Sequence, residues 1–331
     1  MAMFKYVIKR VLIGILLLVG VSLLIYMLTL AMPVDYVDRI TAQGVASGQM
    51  TPEDVQKIKE MYNLDDKSLP GVIKGYIKWL GNVFTGDLGF SFVYGKPVTE
   101  VIRTHMWTSF AIAAIALIIE TIIAIPLGIK AAVKQYSGFD YAVSAFAMIG
   151  SSLPSFFLST LFIYLFSIKL RLFPVAGLVS ATKMLSGFPL LVDKLHHLVL
   201  PIVVVTLLGI GGTMRFQRTN MLEVLNSDYI RTARAKGVPE RSVIYKHTFR
   251  NTLIPLVSMY AYILPGLFSG MMILESVFAV PGIGQLSLKA TMQGDVPYVM
   301  GYNMFLSILT VAGTILSDIM YVVVDPRVKL R

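Results

Sequence analysis

Hydrophobic residues fall along the chain in six long blocks, Val11–Ala31, Thr108–Ile129, Tyr141–Ile168, Leu198–Met214, Leu253–Val280 and Val296–Val324, with polar and charged residues gathered between them. A helix needs about 20 apolar residues to cross the hydrocarbon core of a bilayer, and the blocks are of that order. The pattern predicts an all-α polytopic membrane protein with six transmembrane helices. An even number of crossings puts both termini on one side.

The polar stretches then divide the chain. Residues 1–31 form an N-terminal anchor helix, 32–107 an extracytoplasmic insertion that is mostly helical, 108–324 a five-helix core and 325–331 a tail. Within the insertion, Thr51-Pro52-Glu53-Asp54 reads as a helix start: the hydroxyl caps free amides, proline suits the first turn and the acids suit the dipole. Farther on, Val72–Phe84 sets Ile73, Ile77 and Leu80 apart from Lys74 and Lys78. Two readings stay open for it, a surface segment packed on the bundle or a helix lying against the outer leaflet.

Charge gives an independent test of sidedness. The 331 residues include 29 Lys and Arg against 19 Asp and Glu, a net of +10. Basic residues in short loops stay on the cytoplasmic side. With the N-terminus inside, the inner segments hold 16 basic and five acidic residues, while the outer segments are nearly balanced. The positive charge therefore follows topology, and a nucleic-acid partner is not expected. Lys5, Lys9 and Arg10 ahead of the first block resemble a signal peptide, but the run is long and lacks a small-residue cleavage site, which predicts an uncleaved helix.

Catalytic motifs are missing. With no cysteine, thiolate nucleophiles and thiolate-bound metals are excluded. The segment Gly89–Pro97, GFSFVYGKP, places five residues between its glycines and proline where a phosphate-binding loop has a hydroxyl, so it does not read as one. Gly209, Gly211 and Gly212 sit in an apolar block with no strand before them, which points to close helix packing. The adjacent His196 and His197 diverge on a helix and suit an interface better than a metal. The chain is read as non-catalytic, with no cofactor of its own.

The most informative segment is Arg215–Thr252, RFQRTNMLEVLNSDYIRTARAKGVPERSVIYKHTFRNT. At roughly 2.5–3.5 kcal/mol for each Arg or Lys at mid-membrane, it must lie at the cytoplasmic face. Asn226 or Ser227 can cap a short helix, Gly237 can end it and a second helix can begin at Pro239. Small residues Ala233, Ala235 and Gly237 permit close approach by a partner, and Arg231, Arg234, Lys236 and Arg241 can meet an acidic rim. Composition alone leaves two uses open, a docking plug or an anchor to anionic headgroups.

The stretch Met221–Gly237, MLEVLNSDYIRTARAKG, followed by RNTLIP at Arg250–Pro255, resembles the cytoplasmic coupling loop of the B-type permease of oligopeptide/dipeptide ABC importers. GDLGFS at Gly86–Ser91, LPSFFLSTLFIYLFSIKLRLFP at Leu153–Pro174, HLVLP at His197–Pro201, ESVFAVPGIGQL at Glu275–Leu286 and DPR at Asp325–Arg327 follow in the order of that family, so the likeness covers essentially the whole chain. One departure stands out: many import permeases carry Glu-Ala-Ala where this chain has Arg231-Thr232-Ala233, so a salt bridge from that first acid to the ATPase is not available.

The resemblance implies a permease in a bacterial or archaeal plasma membrane, both termini cytoplasmic, working with a second homologous permease, two cytosolic ATPases that hold ATP and Mg, and an extracytoplasmic substrate-binding protein. It implies that Tyr229 through Lys246 dock in an ATPase groove, with Ala233, Gly237 and Pro239 shaping the turn and Arg231, Arg234 and Arg241 as polar contacts. Peptide is the expected substrate, with nickel chelates, glutathione or another small solute as alternatives. For the path or gate the candidates are Glu120, Pro154, Glu275 and Asp318. Prolines 126, 154, 201, 255 and 265 are individually expected to bend helices without breaking them, and Glu275 to lie near the outer mouth, about 33 Å beyond Leu253 on an ideal helix. An ion-coupled transporter using Glu120, Glu275 and Asp318 is the competing class.

Overall fold

The computed structural model describes residues 2–30, 42, 45, 46, 48, 51, 53, 68–180 and 184–324. The predicted helix start at Thr51–Asp54 and the tail from Asp325 lie largely or wholly outside these residues. Twelve α-helices are found in the described chain: α1 (Ala2–Leu30), α2 (Leu69–Phe84), α3 (Val98–Val133), α4 (Gly138–Ser152), α5 (Ser155–Phe162), α6 (Gly187–Leu225), α7 (Asp228–Ala235), α8 (Glu240–Ser242), α9 (Arg250–Ile263), α10 (Met272–Val277), α11 (Ile283–Met292) and α12 (Val296–Val324). A two-residue antiparallel ribbon, β1 (Phe90–Ser91) with β2 (Lys96–Pro97), precedes α3. Gly89–Pro97 forms this hairpin.

Among the described residues five helical stretches are long and apolar enough to cross a membrane, and a sixth crossing is obtained if the bent pair Gly138–Lys169 counts as one. That pair corrects the expectation for the third block. It is two helices meeting at 99°. Leu153 precedes proline, which disfavours helical backbone there, and it adopts φ −77°, ψ 129°. Pro154 follows in extended conformation as the first residue outside α5. Thus Pro154 breaks its helix, whereas Pro126, Pro201 and Pro255 stay inside theirs.

Two other boundaries move. The fourth block continues as one helix to Leu225, because Arg215–Leu225 keeps its charged residues off the face that buries Gln217 and Met221. The fifth block does not run to Val280. The helix is interrupted at Ser269-Gly270, where Gly270 takes φ 74°, and the chain continues as the short α10 and α11. A non-glycine residue would be strained in that region of backbone space.

Packing centres on α3 against α6. A Cβ on Gly209 would meet Glu120 Oε2 of α3 at 2.0 Å, and one on Gly211 would meet the Ala147 carbonyl oxygen of α4 at 2.5 Å. Small residues let helix backbones approach in lipid, where van der Waals contact is the main source of association. Ile112, Ala116 and Val204 are fully buried in this seam. At the end of the bundle near the hairpin, Tyr26, Trp79, Phe92, Val98 and Tyr298 form a second buried cluster.

Candidate functional site

The polar elbow between α6 and α9 is built from buried anchors and two turns. In α7 only Ile230 is fully buried. As the one large aliphatic residue in DYIRTARA it fixes which face turns inward, and Val243 is buried beyond the turn. Ser227 occupies the N-cap position in extended conformation, but its Oγ donates to the Val224 carbonyl at 2.6 Å and makes no capping bond. The cap expected of Asn226 or Ser227 is therefore not formed, because that hydroxyl is turned back onto α6.

Gly237 ends α7 with φ 77°. Its N–H donates to the Arg234 carbonyl at 2.9 Å and that of Val238 to the Ala233 carbonyl at 3.2 Å. This pair of bonds is the Schellman arrangement, which satisfies otherwise open helix-end carbonyls. Pro239 is the N-cap of α8, one residue earlier than expected for the first helical position, and its carbonyl accepts from Ser242 at 2.8 Å and Val243 at 3.1 Å. Across the turn, Arg234 donates through Nε and Nη2 to both carboxylate oxygens of Glu240, at 3.2 and 2.7 Å. Glu240 in turn raises the Arg234 guanidinium above its ordinary value. Arg234 is thus engaged inside the elbow. Tyr229, Arg231, Lys236, Pro239, Arg241 and Tyr245 are exposed, Ala233 is half-buried, and Arg231 stands 3.7 Å from Asp228.

The roots of the elbow are held by adjacent residues of α6. Gln217 donates to Thr252 of α9 at 3.0 Å, with both side chains fully buried. Arg218 reaches Asp140 at the start of α4 at 2.6 Å. Neither partner was singled out from sequence. A polar residue that keeps helical register with buried Met221 and Met214 was the available signal for Gln217.

The four path candidates do not converge. Glu120 is buried between α3 and α6 and accepts from Thr213. Asp318 of α12 faces Arg10 of α1 at 3.2 Å. Pro154 marks the break between α4 and α5. Glu275 is fully buried and accepts from Ser109 at 2.7 Å, Met271 N–H at 3.0 Å and Gln285 N–H at 2.8 Å. α9 ends before Glu275, so an ideal helix does not connect it to Leu253, and the residue it meets, Ser109, stands at the start of the second apolar block. Among the described residues no group of three His, Asp or Glu side chains is arranged to hold a metal. His196 and His197 bond separately, to the carbonyls of Leu172 and Asp193.

A second polar knot, missed in the sequence, ties the hairpin to the bundle. Asp295 is fully buried and accepts from Ser91 Oγ at 2.5 Å, Val93 N–H at 2.9 Å and Tyr298 N–H at 3.1 Å. Burial raises its carboxyl above the usual aspartate range despite these donors. Tyr94 donates to the Leu286 carbonyl at 2.7 Å, and burial, then the nearby Asp295, pushes its phenol up.

Residues 124–330 match the family described as "Binding-protein-dependent transport system inner membrane component", and residues 3–113 match that family's N-terminal membrane component. The oligopeptide transport system permease protein AppB of Bacillus subtilis (strain 168) is 34% identical over 328 residues, 99% of this chain and 100% of AppB. A chain of Brucella abortus (strain 2308) is 37% identical over 323 residues, 98% of each. The dipeptide transport system permease protein DppB of Bacillus subtilis (strain 168) is 34% identical over 285 residues, 85% of this chain and 86% of DppB.

Proposed function

The chain belongs to the binding-protein-dependent transport system inner membrane component family, and from that premise we propose that it is the peptide-translocating permease subunit of an ATP-driven importer. Identity of 34% to permeases named for oligopeptide and dipeptide transport, across 99% and 85% of this chain, supports the substrate class. It forms half of a pathway with a homologous permease, receives peptide from an extracytoplasmic binding protein and draws energy from two cytosolic ATPases that hold ATP and Mg. Both termini and the elbow face the cytoplasm.

The observation that carries this reading is the elbow's construction. Two short helices are locked by a Schellman turn and the Arg234–Glu240 pair, while Tyr229, Arg231, Lys236 and Arg241 stay exposed for a partner. Because α6 runs unbroken into its root and Gln217 holds α9, a displacement applied to the elbow reaches both crossings. ATP binding closes the ATPases, the elbow moves with them and the cavity between permeases changes its side of access. Such a switch requires partners that bind the two states differently, here nucleotide-loaded ATPase and peptide-loaded binding protein.

A bulky residue at Gly237 tests the assignment. Gly237→Val strains φ 77° and alters the turn presented to the ATPase, so peptide uptake should be lost while the protein still inserts and accumulates. Uptake at the wild-type rate would reject the docking role.

A further inference from the structure

Helix α2 presents three faces. Plotted at 100° per residue, Gly71, Gly75 and Trp79 fall on one side and are buried. Leu69, Ile73, Ile77 and Phe84 fall on another, exposed at 75%, 51%, 63% and 76%. Lys74 and Lys78 occupy a third, one turn apart and exposed.

The buried side fixes where the helix lies. Tyr76 hydroxyl donates to the Val19 carbonyl of α1 at 3.2 Å and contacts Ser22 Oγ at 2.8 Å, while Tyr26 sits 6.0 Å from Trp79 between ring centroids. The apolar span of α1 is Val7–Met27. Val19 therefore lies about 12 Å inside the end of that span, and α2, reaching it through a tyrosine side chain, cannot stand clear of the bilayer. On α1 itself Leu16, Leu24 and Met27 are exposed as well. A groove of about 470 Å³ lined by Leu69, Pro70, Ile73, Lys74 and Ile77 runs along this face.

We propose that α2 is an interfacial helix whose Leu69–Ile73–Ile77–Phe84 stripe inserts among the acyl chains of the leaflet flanking the C-terminal half of α1, with Lys74 and Lys78 at the lipid phosphates. Helices that lie in the interface bury an apolar face about 5–10 Å deep and keep cations at headgroup level, and lysine stems reach outward to do so. A second protein subunit fits this face less well, because lysine is depleted from protein interfaces. The helix thus holds the insertion at a fixed depth beside the bundle.

The chain has no cysteine, so single Ile73→Cys, Ile77→Cys, Lys74→Cys and Lys78→Cys variants of the full chain each add one nitroxide site, and the unsubstituted complex treated alike gives the background from its co-purifying subunits. Reconstituted in vesicles of phosphatidylcholine and phosphatidylglycerol, labels at 73 and 77 should relax with oxygen in preference to an aqueous nickel chelate, by a ratio severalfold above that at 74 and 78. Equal access of the nickel chelate to all four sites would place the face in water. Shielding of 73 and 77 from both reagents would assign it to a protein neighbour. Either result overturns the proposal.

Discussion

Arg218 of α6 clasps Asp140 of α4 through two parallel bonds, Nε to Oδ1 at 2.6 Å and Nη2 to Oδ2 at 2.7 Å. Asp140 also accepts from Tyr136 N–H at 3.0 Å, so the α3–α4 turn and the root of the elbow share one carboxylate. The Asp140 side chain is 3% exposed and that of Arg218 24%. Removing one partner of a buried pair strands the other, and partial exposure of the guanidinium reduces that penalty. Asp140→Asn should therefore lower stability by roughly 2 kcal/mol, read as an earlier thermal transition in detergent. Arg218→Lys, which keeps charge but loses the fork, should fall between the variant and wild type. A wild-type melting profile for both would show that the clasp contributes nothing.

The helix seam makes a sharper contrast between neighbouring glycines. Gly209→Ala forces its Cβ to within 2.0 Å of Glu120 Oε2 as the side chain now stands. Gly212 has nothing within 4 Å of a built Cβ. Moving a carboxylate held by Thr213 inside the bundle is costly, so Gly209→Ala should destabilise by about 1–3 kcal/mol. Gly212→Ala should be neutral or gain up to about 1 kcal/mol from helix propensity. Parallel unfolding curves of the two variants decide it, and equal losses would refute the assigned packing.

These contacts also mark how far sequence reasoning reached. Apolar length fixes where a chain can cross a bilayer, which is why the blocks around Val11, Thr108, Leu198 and Val296 correspond to helices. It is blind to interruptions that keep the composition apolar. Leu153-Pro154 and Ser269-Gly270 break their blocks without adding a charge, so both bends were missed, and with them the burial of Glu275. Within the elbow, Gly237 and Pro239 were legible because each restricts or frees the backbone locally. Gln217 and Asp295 were not, since their importance lies in partners far along the chain, Thr252 and Ser91.

Within α7 the exposed and buried residues separate folding from docking. Ile230→Ala removes a fully buried side chain and should cost roughly 2–4 kcal/mol, lowering both stability and transport. Tyr229→Ala changes an exposed ring and should leave the melting transition within about 0.5 kcal/mol of wild type while weakening capture of the ATPase subunits on co-purification. If Tyr229→Ala retained the full ATPase complement, this ring would not be part of the docking face.

Asp295 supplies a pH test outside the membrane spans. Its carboxyl is raised by burial, so the folded chain holds the proton more tightly than the unfolded chain, whose aspartates titrate near about pH 3.9. The stabilisation this gives is complete below that unfolded value and is lost as pH rises through the higher folded value. Asp295→Asn cannot titrate. The melting temperature of wild type minus that of Asp295→Asn should thus be largest in acid and fall toward neutrality, on top of a constant offset from exchanging acceptors for an amide beside Ser91 and Val93. A difference that instead grows from acid to neutral pH would mean that the donors outweigh burial and hold the carboxylate ionised.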